Sequence, residues 1–136
     1  MSNYLAVATV SAALKQIVQV ACHVVGGAEV KLGRPVKEDP SFVGAHLYMY
    51  NVRPNAGISN NDLPTRTRSG VLAQLPSAAV DLYYLVSFYG DQSQLVPQRL
   101  MGSTICALLA QPLLTKDRIR EVTSPDGPYD FLAESD

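Results

Sequence analysis

The chain has 136 residues, of which 47% are apolar and 17% are charged. This length lies within the usual range for one domain and is sufficient to bury a hydrophobic core. Its 11 basic and 12 acidic side chains give a formal net charge of -1. Proteins that bind nucleic acids or anionic membranes usually have an excess of basic residues, so we expect no nucleic-acid partner and no membrane partner.

The first predicted element is a helix over residues 4 to 24. Ser2 or Asn3 can cap its N-terminus, and Gly26-Gly27 can end it. Lysine and glutamine side chains interrupt the apolar run before it reaches bilayer length, and no basic segment precedes it, so we predict neither a signal peptide nor a membrane span. Because apolar residues cover most of its circumference, the helix is expected to be contacted on more than one side.

The next predicted elements are strands: a short one from Glu29 to Leu32, and longer ones from Phe42 to Val52 and from Ala79 to Tyr89. In the two longer strands both alternating faces carry apolar or aromatic residues. Both sides of the sheet therefore need cover from helices or from neighbouring subunits. The pattern predicts a small mixed β-sheet flanked by helices, in the α/β (α+β) class.

A long irregular segment, residues 53 to 76, separates the two longer strands and is rich in proline, glycine and asparagine. Connections longer than about 15 residues without secondary structure are uncommon in compact domains and are usually functional or disordered. This segment is therefore the first place where the sequence predicts a function.

A second predicted helix starts near Leu95 and stops before Pro112, and Thr115 can cap a short third helix. Residues 123 to 136 show little periodicity. We therefore expect one domain over residues 1–122 and a C-terminal tail over 123–136. The apolar side of the second helix is predicted to consist of Leu100, Met101, Ile105, Leu108 and Leu109.

The residues that usually carry chemistry are few. Cys22 and Cys106 lie in apolar helical patterns and are expected to be buried free thiols, with a disulfide as the alternative. His23 and His46 are interpreted as solvated or hydrogen-bonded structural residues, because no metal-ligand spacing surrounds them. No nucleophile elbow, phosphate-binding loop, dinucleotide fingerprint or zinc-protease motif occurs. We expect no catalytic residue, no cofactor and no metal, and hence no enzyme.

Arg53, Arg66 and Arg68 form the best functional cluster, on the long irregular segment. They can belong to a solvated loop, or they can contact a neighbouring subunit, because guanidinium groups pair bidentately with carboxylates and are favoured at interfaces. A nucleic-acid site is the weaker alternative, since interleaved aromatic residues and a basic surplus are both missing.

Asp81 is an acid inside an otherwise apolar strand, where an unpaired charge is costly. We interpret it as part of a salt bridge or hydrogen bond across a strand or subunit boundary, with a catalytic role as the alternative. Tyrosines, including Tyr83, concentrate on the two longer strands. A tyrosine buries its ring and keeps a hydroxyl for a partner, which suits a protein interface, although core packing explains them almost equally well.

Several segments, in order along the chain, resemble one known family. It is the N-terminal domain of the cap protein family of extracellular contractile injection systems, which include the antifeeding-prophage and virulence-cassette types. The similar segments are SNYLAVATV (2–10), LYMYNVRPN (47–55), DLPTR (62–66), DLYYLVSFYGD (81–91) and PQRLMG (97–102).

The resemblance implies a fold like that of phage tail terminators and a structural role. Such a protein forms a ring, expected to be a hexamer, on the last ring of the inner tube, where it stops polymerisation and engages the last sheath layer. The implied partners are copies of the chain itself, the inner tube protein and the sheath protein. The expected location is the bacterial cytoplasm during assembly and then a phage-tail-like particle outside the cell.

On this hypothesis six residues are expected at the subunit or tube interface: Arg53, Leu63, Arg66, Arg68, Asp81 and Tyr83. Members of the family continue beyond the equivalent of residues 131–136 into a segment that reaches the sheath, so the tail here is expected to lead into such a segment. The alternative function is a small accessory or binding module whose arginine-bearing loop binds an anionic ligand.

Overall fold

The computed structural model describes residues 4–59, 79–124 and 129. Along the chain these residues form helices and strands in the order α1, β1, β2, α2, β3, α3, α4, with one 3-10 turn (Gln92–Gln94) before α3. The predicted α+β class is confirmed. The helices are α1 (Ala6–Cys22), α2 (Ala56–Ser59), α3 (Val96–Ala110) and α4 (Lys116–Val122), and the strands are β1 (Glu29–Leu32), β2 (Gly44–Pro54) and β3 (Val80–Tyr89).

The three strands form one sheet in the order β1-β2-β3. β1 is parallel to β2, with Val30 opposite Ala45. The N–H of Asn55, just after β2, donates to the carbonyl of Ala79, just before β3, at 2.9 Å. The end of β2 therefore lies beside the start of β3, and the two strands are antiparallel. The predicted mixed sheet is therefore present.

Gly44 sets the start of β2. Its φ of +148° is rarely adopted by residues with a side chain, and a Cβ at this position would collide with the backbone of Glu29 on the neighbouring strand. β2 therefore begins two residues after the predicted Phe42, where the backbone can first approach β1. At its other end β2 continues through Pro54, beyond the predicted Val52.

Helix α1 is contacted by β1, α3 and α4, as its largely apolar circumference predicts. Gln19 joins it to β1, since its side chain donates to the carbonyl of Ala28 and accepts from the N–H of Val30. On another side, the hydroxyl of Ser103 on α3 donates to the carbonyl of Ala21 at 2.7 Å. The small side chain of Ser103 permits this close approach of the two helices.

Helix α3 departs from the predicted burial. Leu100 and Thr104 are buried, while the side of the helix that carries Met101, Ile105 and Leu109 is exposed. The expectation of a buried thiol is confirmed for Cys22 and wrong for Cys106, which is exposed. Residue 106 is two positions after the buried Thr104, and two positions rotate a helix by about 200°, so its side chain points away from α1.

The backbone packing divides the chain into two compact units. The first, Met1–Tyr48 with Leu85–Asp136, contains α1, α3 and α4, and the second, Met49–Tyr84, contains α2 and the adjoining parts of β2 and β3.

Helix α4 starts as predicted, because the hydroxyl of Thr115 accepts a hydrogen bond from the N–H of Arg118. Over residues 4–59 and 79–124, no helix is both long enough and apolar enough to cross a bilayer.

Candidate subunit interface

Two of the predicted interface residues meet in the second unit. The guanidinium carbon of Arg53, near the end of β2, lies 5.8 Å from the ring centroid of Tyr83 on β3. The Tyr83 ring is in turn 6.2 Å from the ring of Tyr50, at an interplanar angle of 56°. The cation is attracted to the ring face, and tilted aromatic pairs are favourable. The contacts therefore hold an exposed guanidinium group over an aromatic base.

Asp81 lies in the same unit and makes the hydrogen bond across a strand boundary that its position predicts. Its Oδ1 accepts from the side-chain amide of Asn55 at 2.9 Å. The backbone N–H of Asn55 is already bonded to Ala79, so Asn55 joins the end of β2 to the start of β3 by two hydrogen bonds. Asn55 was not predicted as a site residue; the available signal was an asparagine after a proline close to the predicted strand end, where a side-chain amide can replace backbone pairing.

Apolar and aromatic side chains around this contact are exposed. We call the set Tyr50, Val52, Arg53, Val80 and Tyr83 the strand-end platform. Because side chains alternate along a strand, Val52 and Val80 lie on the face opposite to Arg53 and Tyr83. The four uncharged members of the platform are between 36% and 55% exposed. Tyrosine and arginine are enriched among the residues that dominate binding energy at protein interfaces. The platform therefore has the composition of a contact surface.

The predicted irregular segment 53–76 is partly regular. Arg53 and Pro54 belong to β2, because the chain pairs with β3 for two residues more than expected, and α2 follows after Asn55. Leu63, Arg66 and Arg68 lie outside the described residues. The structure thus brings Arg53, Asp81 and Tyr83 into one unit, and the interface role of all six residues stays a prediction.

A second polar cluster lies in the first unit, around the buried His46. Its Nε2 is 2.6 Å from Oε1 of Glu38, and its Nδ1 is 3.2 Å from the carbonyl oxygen of Arg34. Lys31 also donates to Glu38, at 3.2 Å. The hydrogen bond with His46, together with Lys31, lowers the pKa of the Glu38 carboxyl below its usual value. The hydrogen-bonded structural role predicted for His46 is confirmed, and His23 is exposed at the end of α1.

Two observations in the described part of the chain concern metal ligands and the buried thiol. It contains no group of three or more histidine, cysteine, aspartate and glutamate side chains placed to hold a metal ion. Burial raises the pKa of the Cys22 thiol. The reactive thiolate is therefore disfavoured at Cys22.

Comparison with known families gives a match over most of the chain. The profile of the Pvc16 N-terminal domain family matches residues 9–135, and no curated protein and no solved structure matches the chain. The matched range covers nearly the whole chain, in agreement with the resemblance carried by the separate segments. The chain belongs to the Pvc16 N-terminal domain family, whose proteins are associated with contractile injection systems.

Proposed function

We propose that the chain is a non-catalytic structural subunit, the cap that ends the inner tube of a contractile injection particle. Six copies form a ring on the last tube ring and engage the last sheath layer. Assembly takes place in the bacterial cytoplasm, before the particle leaves the cell. The family association is the reason for proposing a contractile injection particle, and the exposed surface of the chain supports a structural role.

The observation that carries this proposal is the strand-end platform. Exposed tyrosine and valine side chains lie on the two faces of the strand ends, and on one face the ring of Tyr83 holds the guanidinium group of Arg53. A soluble subunit that worked alone would leave this apolar surface in water, whereas a ring or tube neighbour would cover it. Large exposed apolar patches commonly mark protein contacts.

The mechanism is steric termination. A ring whose lower surface complements the tube, and whose upper surface does not repeat the tube surface, occupies the growing end and offers no place for the next tube ring. This mechanism needs contact surfaces and no reacting groups. The hydrogen bonds that fix Asn55 and Asp81 suit it, because they hold the strand ends in one geometry.

The test is negative-stain electron microscopy of the purified chain, alone and mixed with preformed tubes of the inner tube protein. We expect ring particles from the chain alone and rings seated on tube ends in the mixture. The Tyr83→Ala variant should bind fewer tube ends, and Tyr4→Ala, which is exposed outside the platform, serves as control. A chain that stays monomeric and leaves tube ends bare contradicts the proposal.

One observation favours a second function, a binding module for an anionic ligand. Arg53 is exposed, and among residues 4–59 and 79–124 it has no carboxylate partner. Its guanidinium group could therefore receive a phosphate or a carboxylate. Salt-dependent binding of an oligonucleotide or nucleotide by the monomer, lost in Arg53→Ala, would support this function over the cap.

A further inference from the structure

Leu95, between the 3-10 turn and α3, has a strained backbone. Its φ of 54° and ψ of 33° lie in the left-handed region, and over residues 4–59 and 79–124 it is the only residue other than glycine with a positive φ. Leucine adopts this conformation only at a cost, whereas glycine and asparagine tolerate it. Backbone hydrogen bonds from Leu95 to Gln92 and from Val96 to Asp91 impose it. The turn therefore explains the conformation of residue 95 and leaves the choice of leucine unexplained.

Two further local rules disfavour a leucine at this position. Leu95 is the N-cap of α3 and gives the helix no side-chain hydrogen bond, whereas serine, threonine, aspartate and asparagine usually do. Its apolar side chain is also 58% exposed. Positions where several local rules fail together are often functional. The side chain of Leu95 is therefore expected to act outside its own chain.

The residues around Leu95 have the composition of a protein contact. Gln92, Gln94 and Gln98 are exposed, and residues 92–98 include no charged side chain. Interface centres are depleted of charge, and an apolar anchor typically lies inside a ring of polar residues. Nucleic acids and anionic membranes attract cationic surfaces instead. The partner that suits this turn is an apolar pocket in a protein.

The chain itself contains an apolar groove of suitable size. We call the space between α1 and α4, whose apolar lining includes Ala12, Val20 and Val122, the α1–α4 groove; its volume is about 270 Å³. A cavity of about 150 Å³ with an aliphatic lining holds a benzene molecule, so this groove has room for one branched aliphatic side chain. Leu95 is not among its lining residues, so the leucine of the same copy does not fill it.

The charged side chains that line the groove are paired within the chain. Lys15 donates to the hydroxyl of Tyr129 at 2.9 Å. Glu121 accepts from Gln16 at 3.1 Å and from Arg118 at 3.4 Å. The groove therefore needs no charged partner, which matches the uncharged turn around Leu95. Both the turn and the groove belong to the first unit.

We propose that Leu95 of one copy inserts into the α1–α4 groove of the adjacent copy. The contact joins two different surfaces, so each copy gives its leucine to one neighbour and receives a leucine from the other. Such contacts repeat head to tail and close into a ring when the rotation permits. The inference rests on the proposed ring, and it names the residues that join its subunits.

Leu95→Asn separates an anchor from a structural residue. At concentrations too low for assembly, its thermal transition should stay at or above that of the unmodified chain, because asparagine relaxes the turn and can cap α3. Its association by sedimentation should be weaker by at least about tenfold. Val36→Asn is the matched control, since Val36 is 55% exposed and belongs to neither surface. A transition lowered by more than about 5 °C would show that Leu95 serves its own fold and overturn the inference.

The groove is tested from its own side. Val20→Asp should weaken association by at least about tenfold, whereas Val24→Asp, four residues further along and outside the groove, should assemble normally; the two valines are 58% and 55% exposed. Cross-linking uses Leu95→Cys and Val20→Cys in separate chains, each with Cys106→Ser to remove the exposed native thiol. A short bismaleimide should link the two chains in a mixture and link neither chain to itself.

Rings that tolerate Leu95→Asn or Val20→Asp, or that form without the mixed cross-link, overturn this contact and leave the cap proposal standing. Leu95→Asn rings that no longer bind tube ends belong to this class and assign the leucine to the tube. Absence of rings in the unmodified chain overturns both proposals.

Discussion

The Nε2 atom of His46 lies 2.6 Å from Oε1 of Glu38 while its Nδ1 faces the carbonyl oxygen of Arg34. Both ring nitrogens of the buried imidazole therefore have an oxygen partner. Glu38 and Arg34 belong to the connection between the parallel strands β1 and β2. A parallel pair usually requires a helical crossover, whereas here the buried His46 fixes a connection without a helix.

The Glu38 contacts predict a pH dependence of stability. The pKa of Glu38 is lowered from its ordinary 4.5 in the folded chain by the hydrogen bond with His46 and by Lys31. Its ionised form therefore stabilises the fold above the unfolded pKa, and this contribution is lost as the pH falls through the lower folded pKa. Urea unfolding between pH 6 and pH 3 should show a steeper loss of stability for the unmodified chain than for Glu38→Gln. The Asp39 and Asp91 carboxyls, whose pKa values are also lowered, are present in both proteins and cancel. Equal slopes would contradict the prediction.

Substitution of Gly44 should be costly. Gly44→Ala combines a disfavoured φ with a collision against Glu29, and we expect a loss of about 2–4 kcal/mol in the free energy of unfolding. Gly26→Ala is the matched control, because a Cβ there meets no atom within 4 Å, and a change within about 0.5 kcal/mol is expected. Denaturant unfolding measures both. Similar stabilities of the two variants would show that Gly44 does not limit the approach of β2 to β1.

The two cysteines should differ in reactivity. Cys22 is fully buried and burial raises its pKa, whereas Cys106 is exposed. In the native chain, at concentrations too low for assembly, iodoacetamide should modify Cys106 alone, as read by mass spectrometry of peptides. Unfolding in urea should expose both thiols. Modification of Cys22 under native conditions would indicate that the contact between α1 and α3 opens readily.

Charge reversal at Arg53 should weaken assembly without unfolding the chain. Arg53→Glu removes the cation from the Tyr83 ring and puts a negative charge on the strand-end platform, so sedimentation should show at least a tenfold weaker association. Arg120→Glu is the control, since Arg120 is an exposed residue of α4 outside the platform. The thermal transition of both variants should stay within a few degrees of the unmodified chain. Equal association of the two variants would remove Arg53 from the interface.

Local signals made much of the secondary structure predictable. Strand β1 has the predicted bounds, and Thr115 caps α4 as its position suggested. Burial along α3 was less predictable, because an apolar periodicity shows which side avoids water and leaves open whether the chain itself or a partner covers it. Met101 and Leu109 fit the apolar pattern and are nevertheless exposed.

The candidate interface was also only partly predictable from the sequence. Arg53 and Tyr83 were selected from residue type and resemblance, but their stacking depends on the register between β2 and β3. Register is normally set by one polar and one apolar face, and these strands carry apolar side chains on both. The bond between Asn55 and Asp81, which joins the strand ends, depends on the same register and could not be derived from the sequence.

Tube length gives the most direct test of termination by this chain. Inner tube protein would be polymerised with increasing amounts of the purified chain, and tube lengths would be measured by electron microscopy. A cap should shorten the tubes in proportion to its concentration and leave a ring at one end of each. Tubes of unchanged length with free ends, at a concentration where the chain itself forms rings, would contradict a capping role.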